Sequence, residues 1–325
     1  MGNGGSPFEG VRCAQRSPQD LSRRQFIRRV ALAGAAAGAL TGTYPVRSAS
    51  AGEAPALGRA LDKIKRSGQF SVGARQGVFP FGYLDKSSNS WVGFSTELAR
   101  EVHASIEKEL KTTIKLNLVS VTSRTRIPLL QNGTTDLDAG TTVVTVGRDK
   151  VVDSSIPFFV TGLELLVPKG SPIKSYKDLA GKRMSTVQGG FDSDTYGELN
   201  KTGAISPAVN VIAYQDQPDA FQALVNGAVE AQSSDGVILA GLRQRAPKPD
   251  DWTIIDTRLT SELYAFFMRR SDSDFRHLVN ATLVALFKSG GYQKYYDKYF
   301  GPHGGLPLPL SADMQSMLYM NSWPK

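Results

Sequence analysis

Between Val121 and Arg148 the chain places Ser123, Arg126, Thr141 and Arg148 at predicted ends of elements rather than inside them. Loops and element ends are where binding groups concentrate. Arginine presents a flat fork of donors that matches a carboxylate two bonds at a time. Serine and threonine hydroxyls can complete the shell around such a group. The chemistry implied is capture of a small anion, set against the plainer reading that these arginines are solvated surface charges. No Gly-x-Ser-x-Gly, P-loop or dinucleotide-binding glycine pattern occurs. His103, His277 and His303 lack the spacing of metal ligands, so no metal site and no cofactor are expected.

The elements that must position these residues follow from local pattern. Pro128 suits a first helical turn, and Ile127, Leu129 and Leu130 give the short helix an apolar face. Asn132-Gly133 stops it. A brief strand is expected over 136–140, followed by a hydroxyl-rich loop running to Arg148. The same unit recurs later. Residues 220–225 are an apolar helix, Asn226-Gly227 is the stop, and a strand is expected over 228–231. Thr141 lies eight positions after Gly133, and Asp235 eight positions after Gly227.

Around these two units, residues 57–67 read as a helix and 69–73 as a strand leading to Arg75. Ser95 is placed to cap a helix with Leu98, Val102, Ile106 and Leu110 on its apolar face. Residues 114–121 alternate like a strand, 158–169 read as a strand, and 183–187 as another that opens at Gly189-Gly190 into a helix. Residues 274–288 form a long helix, followed by an aromatic face of Tyr292, Tyr295, Tyr296, Tyr299 and Phe300 assigned to the core. The tail from Pro302 shows little periodicity. The alternation of strands and helices predicts an α/β layer architecture.

The chain has 325 residues and a net charge of +8. Residues 1–51 hold seven arginines against two acidic residues, so five of the eight net charges lie there. The basic balance therefore argues against nucleic-acid binding by the remainder. The leader itself has an order: Ser22-Arg23-Arg24-Gln25-Phe26-Ile27, an alanine- and glycine-rich run from Val30 to Leu40, then Ala49-Ser50-Ala51. That is the pattern of a twin-arginine (Tat-type) export signal, cleaved near residue 51. The single cysteine, Cys13, precedes that site, so the exported protein is expected to have no disulfide and no thiol chemistry.

Ser123-x-x-Arg126-Ile-Pro-Leu-Leu-Gln-Asn-Gly-Thr, Trp252 after Lys248-Pro249-Asp250, and Leu239-Ala-Gly241 together resemble the polar amino-acid solute-binding proteins of ABC importers, family 3, and most of all their glutamate/aspartate branch. The resemblance runs from about Gly68 to Met314. It implies a two-lobe periplasmic-binding-protein fold of type II, with the ligand in a cleft and two hinge strands near 161–164 and 261–264. Residues 52–163 with 262–325 would make one lobe, and 164–261 the other. It implies a periplasmic, monomeric protein that carries an amino acid to a membrane permease. By the same resemblance Arg148 clamps the ligand α-carboxylate, Asp235 receives the α-ammonium and Thr141 lies beside the α-group, while Arg75, Ser123 and Arg126 hold a side-chain carboxylate.

The sequence departs from that pattern at four places. Val143, Val187 and Gly190 stand where hydroxyl residues are usual, Gly190 keeping a backbone N–H, and Gln217 stands in place of a histidine. Two rival readings share the fold. One is a cyclohexadienyl (prephenate or arogenate) dehydratase-like enzyme with Glu164 or Glu262 as general acid. The other is a sensor subunit with the same cleft.

Overall fold

The computed structural model describes residues 60–85, 87–255 and 259–322, so the leader and its export motif lie outside the described residues. The elements are α1 (Ala60–Ser67), β1 (Gln69–Ala74), β2 (Gly77–Val78), β3 (Gly82–Asp85), β4 (Ser90–Val92), α2 (Phe94–Leu110), β5 (Lys115–Ser120), α3 (Arg126–Gln131), β6 (Leu137–Val143), α4 (Val146–Asp149), β7 (Asp153–Ser154) and β8 (Phe159–Thr161). They continue with β9 (Leu163–Pro168), β10 (Arg183–Val187), α5 (Phe191–Lys201), β11 (Asn210–Tyr214), α6 (Gln217–Val225), β12 (Ala231–Asp235), α7 (Gly236–Arg245) and β13 (Trp252–Ile255). The last are β14 (Glu262–Met268), α8 (Ser273–Ser289), α9 (Gly291–Phe300) and α10 (Ala312–Asn321).

Two mixed sheets carry the two lobes. The first runs β5-β1-β6-β14-β7, with β8 also paired to β14, and the second runs β11-β10-β12-β9-β13. In each, the three strands from one edge are parallel, and the partner beyond them is antiparallel. The repeated unit explains the match. Gly133 and Gly227 both take positive φ, which glycine adopts without cost, and each is followed four residues on by the third parallel strand, β6 or β12. Asn132 and Asn226 stay right-handed, so the glycine alone makes each stop.

The chain passes from the first sheet to the second at Gly162, between β8 and β9, and returns between β13 and β14. A Cβ on Gly162 would sit 2.3 Å from the Thr260 carbonyl oxygen, so the two crossings approach closer than any side chain permits.

The core follows strand and helix periodicity. Along β9, Leu165 and Val167 pack to one side of the second sheet and Leu166 to the other. On the first lobe, Phe81, Phe94, Phe159 and Tyr264 pack with Tyr292, Tyr296 and Phe300 of α9, their rings mostly edge to face. The aromatic face of α9 is core, as the sequence reading assigned it.

Several local expectations are corrected. Helix α2 starts before Ser95, which lies buried inside the first turn, and the capping position is Gly93. A Cβ there would fall 2.2 Å from the Phe81 carbonyl oxygen, so tertiary crowding overrides the cap preference of serine. The strand expected to end at residue 140 runs through Thr141 and Thr142 to Val143, all buried. The strand expected over 228–231 begins at Ala231 instead and ends at Asp235. The 158–169 strand is broken at Gly162. The tail is not featureless: α10 buries Met314 and Met317 against the first lobe, with Ser311 capping its start.

Gly162→Ala is expected to destabilise the fold by roughly 1–3 kcal/mol through overpacking at the crossing. Gly197→Ala, in α5 with no atom within 4 Å of its Cβ position, should stabilise by roughly 0.5–1 kcal/mol. Denaturant unfolding of both variants checks the pair, and equal effects would contradict it.

Candidate functional site

The C-terminal ends of the parallel strands in the two sheets converge on one cavity, which is where open α/β sheets present their loops. From the first lobe come Arg75 after β1, Ser123 after β5, Arg126 at the start of α3, and Thr141 and Val143 on β6. From the second come Val187, Gly190, Phe191 and Asp192 around the β10–α5 turn, Gln217 at the start of α6, Ser234 and Asp235 at the end of β12, and Ile238 on α7. The side chains close in tightly on one another, and the space left between them is partly open to solvent. Arg148 is not among the lining residues. It stands beside them on α4, held by a bond from Nη1 to the Val143 carbonyl at 2.7 Å.

The three guanidinium groups are differently engaged. Arg75 is 2 % exposed. Its Nη1 donates to Ser123 Oγ at 2.9 Å, and its Nη2 pairs with Asp216 of the opposite lobe at 2.6 Å. Arg126 is equally buried, yet its one bond among the described residues runs from Nη1 to the Thr141 carbonyl at 3.2 Å, and Nε has no acceptor. Burial, with the neighbouring charge of Arg148, lowers its pKa to about 9. Arg148 is also lowered, by burial, against the opposing pull of Asp138 and other acids. Its Nη2 reaches the Gly189 carbonyl across the cleft at 3.5 Å.

The acids face them. Asp235 is buried and accepts the Tyr264 hydroxyl, and its pKa is raised by desolvation. Asp192 is 4 % exposed with Oδ2 unpartnered. Burial, then the charge of Asp235, pushes it up to about 8. Gly190 has its own constraint: a Cβ there would meet Asp192 Oδ1 at 2.1 Å. Its N–H, expected to be available to a ligand, instead donates to the Val187 carbonyl at 3.0 Å. Gln217 donates from Nε2 to Ser234 Oγ at 2.8 Å and accepts from Gln232 at 2.9 Å, which leaves one amide hydrogen for another partner.

Sequence reasoning missed Asp192 as a cavity acid, and Asp216, Ser234, Phe191 and Ile238 altogether. Asp216 carries a local sign, an acid before Gln217-Pro218 at a helix start, where it accepts the Gln217 N–H at 2.9 Å. Its pairing with Arg75, 141 residues away, has no local sign. The two lobes touch at further points. A Cβ on Gly77 would meet Pro218 at 3.0 Å, one on Gly189 (φ +70°) would meet the Arg124 backbone at 3.0 Å, and Arg124 reaches Gln188 at 3.3 Å.

Residues 70–302 match the profile of the bacterial extracellular solute-binding proteins, family 3. The chain belongs to this family. It is 35% identical over 248 residues to the glutamate/aspartate import solute-binding protein of Salmonella typhimurium, covering 76% of this chain and 81% of that one. It is 34% identical over 264 residues to the L-glutamate/L-aspartate-binding protein of Pseudomonas aeruginosa, covering 79% and 87%. Among solved structures it is similar to a variant of ArgBP from T. maritima, with a TM-score of 0.65 at 31% identity, covering 74% of this chain and 99% of that one. Among the described residues, no helix is long and apolar enough to cross a membrane, and no cluster of metal-ligating side chains occurs.

The raised acids make the stability of the empty protein depend on pH. Asp192 moves from 3.8 to about 8, and Glu262 from 4.5 to about 9. The folded state therefore holds protons that the unfolded state has released. Their contribution is fully present below the unfolded values and is lost as pH rises through the folded ones, by up to about 1.4 kcal/mol per pH unit for each group. Unfolding free energies of the ligand-free protein should fall from about pH 5 to about pH 9, and Asp192→Asn should make the slope shallower. An unchanged slope would remove Asp192 from the account.

Proposed function

We propose that the cleft binds a polar α-amino acid with an acidic side chain, of the glutamate/aspartate kind, and hands it to the membrane permease of an ABC importer. The observation that carries this reading is the Arg126 guanidinium, buried in the same cavity as the Asp235 carboxylate but not ion-paired with it. A zwitterion with a second carboxylate supplies what each lacks. In this reading Arg148 takes the α-carboxylate, Asp235 the α-ammonium, and Thr141 the space beside the α-carbon. Arg126, Arg75 and Ser123 take the side-chain carboxylate, and Gln217 and the Gly190 turn close over it. The names carried by the Salmonella and Pseudomonas relatives support the acidic ligand.

Arg75 reaches its ligand only by sharing or releasing Asp216, whose carboxylate occupies part of the guanidinium fork. The ligand therefore acts by making better contacts in the closed state than in the open one. The export motif at residues 22–27 fits delivery to the periplasm, where a monomer would meet the permease. Neither acid considered for dehydratase chemistry lines the cavity, whereas Arg148, also outside the lining, reaches the Gly189 carbonyl across the cleft. Glu164 lies against Gly236 and lines a separate cavity behind the crossings, and Glu262 stands behind Asp235. That placement favours binding over catalysis.

A thermal-shift panel of L-glutamate, L-aspartate, L-glutamine and L-arginine tests the reading. Ligand at a hundred times its dissociation constant stabilises by about 2.7 kcal/mol, and the acidic amino acids should give the largest shifts. Arg148→Ala should abolish binding of every amino acid. Arg126→Ala should weaken L-glutamate by about tenfold or more, since bonds to charged groups contribute about 1.5–3 kcal/mol, and should spare L-glutamine. Equal losses for both ligands would reject the side-chain role of Arg126, and no shift with any amino acid would reject the whole reading.

A further inference from the structure

The acid at the ammonium end of the cavity does not stand alone. Tyr264 donates its hydroxyl to Asp235, and Glu262, two residues earlier on the same strand, brings its carboxyl within hydrogen-bonding reach of that group. Ionised carboxylates only accept, so two of them bond only when one holds a proton. Glu262 is 3 % exposed, and its Oε2 meets no other donor. Its Oε1 accepts the Thr260 hydroxyl, and Thr260 Oγ1 in turn accepts the Leu163 N–H at 3.1 Å. Leu163 is the first residue after the outward crossing at Gly162, and Thr260 lies on the returning one. Beside Asp235, the Gly236 N–H donates to the Gly162 carbonyl at 2.9 Å. One chain of bonds thus links the cavity acid to both connections between the lobes.

Charges around this pair come from several elements, β9 among them, where the Glu164 carboxyl lies against Gly236, the neighbour of Asp235. On α5, Asp192 adds negative charge, while Asp194 acts on Arg148. On α3 and α4, Arg126 and Arg148 draw Asp235 toward its ionised form. Asp138 of β6 faces those two arginines.

We propose that Glu262 is a positioning residue for ligand capture: it holds the proton of the Asp235–Glu262 pair, donates it to Asp235 so that the carboxylate faces the ligand ammonium, and ties that carboxylate through Thr260 to both crossings, making ammonium capture and lobe closure one event. This rests on the amino-acid reading of the cleft. Burial, then the negative charge of Asp235, pushes Glu262 up to about 9, so it keeps its proton at neutral pH. Asp192 and Asp235 are the acids that line the cavity and Glu262 is not among them, so the role of Glu262 is that of a donor rather than a counter-charge.

Two measurements test this. The first needs no ligand: a carbon-13 NMR titration of carboxyl groups in the empty protein, with Glu262→Gln identifying the resonance. Glu262 should titrate above about pH 7, and a midpoint at or below about pH 7, nearer the ordinary carboxylate range, overturns the shared proton. The second is calorimetric titration with L-glutamate. Glu262→Ala should weaken binding by about tenfold or more, as for loss of a bond to a charged group. Glu262→Gln, which keeps a donor, should recover most of that loss. The affinity of the wild type relative to Glu262→Gln should fall as pH rises from about 7 to about 10, a ratio in which the titration of the ligand itself cancels. A glutamine variant as weak as the alanine one, or a ratio that does not move with pH, overturns the proposal. If the wild type binds no amino acid, the cleft assignment fails, and the NMR titration still decides whether the two acids share a proton.

Discussion

The structure depends on two opposite charges, Arg126 and Asp235, held out of water in one cavity with no ion pair between them. Removing a guanidinium or a carboxylate from solvent is costly unless a partner compensates. Arg126 gains one carbonyl, and Asp235 a tyrosine hydroxyl and a carboxyl neighbour. Their pKa values shift in the directions that such desolvation dictates, the base downward and the acid upward. A site arranged in this way is complementary to a molecule with separated charges of both signs, and contacts that complete it favour the closed cleft over the open one.

The fold supplies this arrangement by repeating one solution twice. In each lobe a short helix, an asparagine-glycine stop and a buried third strand deliver a polar residue eight positions after the glycine: Thr141 from one sheet, Asp235 from the other. Parallel strands end on the same side, so their loops pool there. Glycines then set how closely the lobes meet. Gly77 and Gly189 lie where a Cβ would press on the opposing lobe, and Gly162 lies where the two crossings touch. The Arg75–Asp216 pair spans the same gap with charge.

What could be read from the sequence was local, and what could not was tertiary. Arginines placed after strands and at helix starts marked one wall of the cavity, because strand ends and helix starts have short-range signatures. Arg148 was legible as an arginine on the loop side, yet it stands beside the cavity lining, since its guanidinium is drawn to the Val143 carbonyl. Asp192 sits in the first turn of α5, where an acid is common on local grounds alone. Its burial against Asp235 comes from the meeting of α5 with β12, which no spacing encodes. The Tyr264–Asp235 bond likewise joins strands of different sheets. Ser95 failed as a cap because the Phe81 backbone lies where only a glycine at position 93 fits, and α10 went unread because its buried residues, Met314 and Met317, are too few to make a periodic face.

The most direct measurement is a crystal structure of the protein grown with L-glutamate. The account predicts the α-carboxylate on the guanidinium of Arg148, the ammonium on Asp235, and the side-chain carboxylate on Arg126, with Glu262 still bonded to Asp235 from behind. A ligand seated elsewhere, or one that leaves the Arg148 guanidinium and the Asp235 carboxylate without contact to it, would contradict the account.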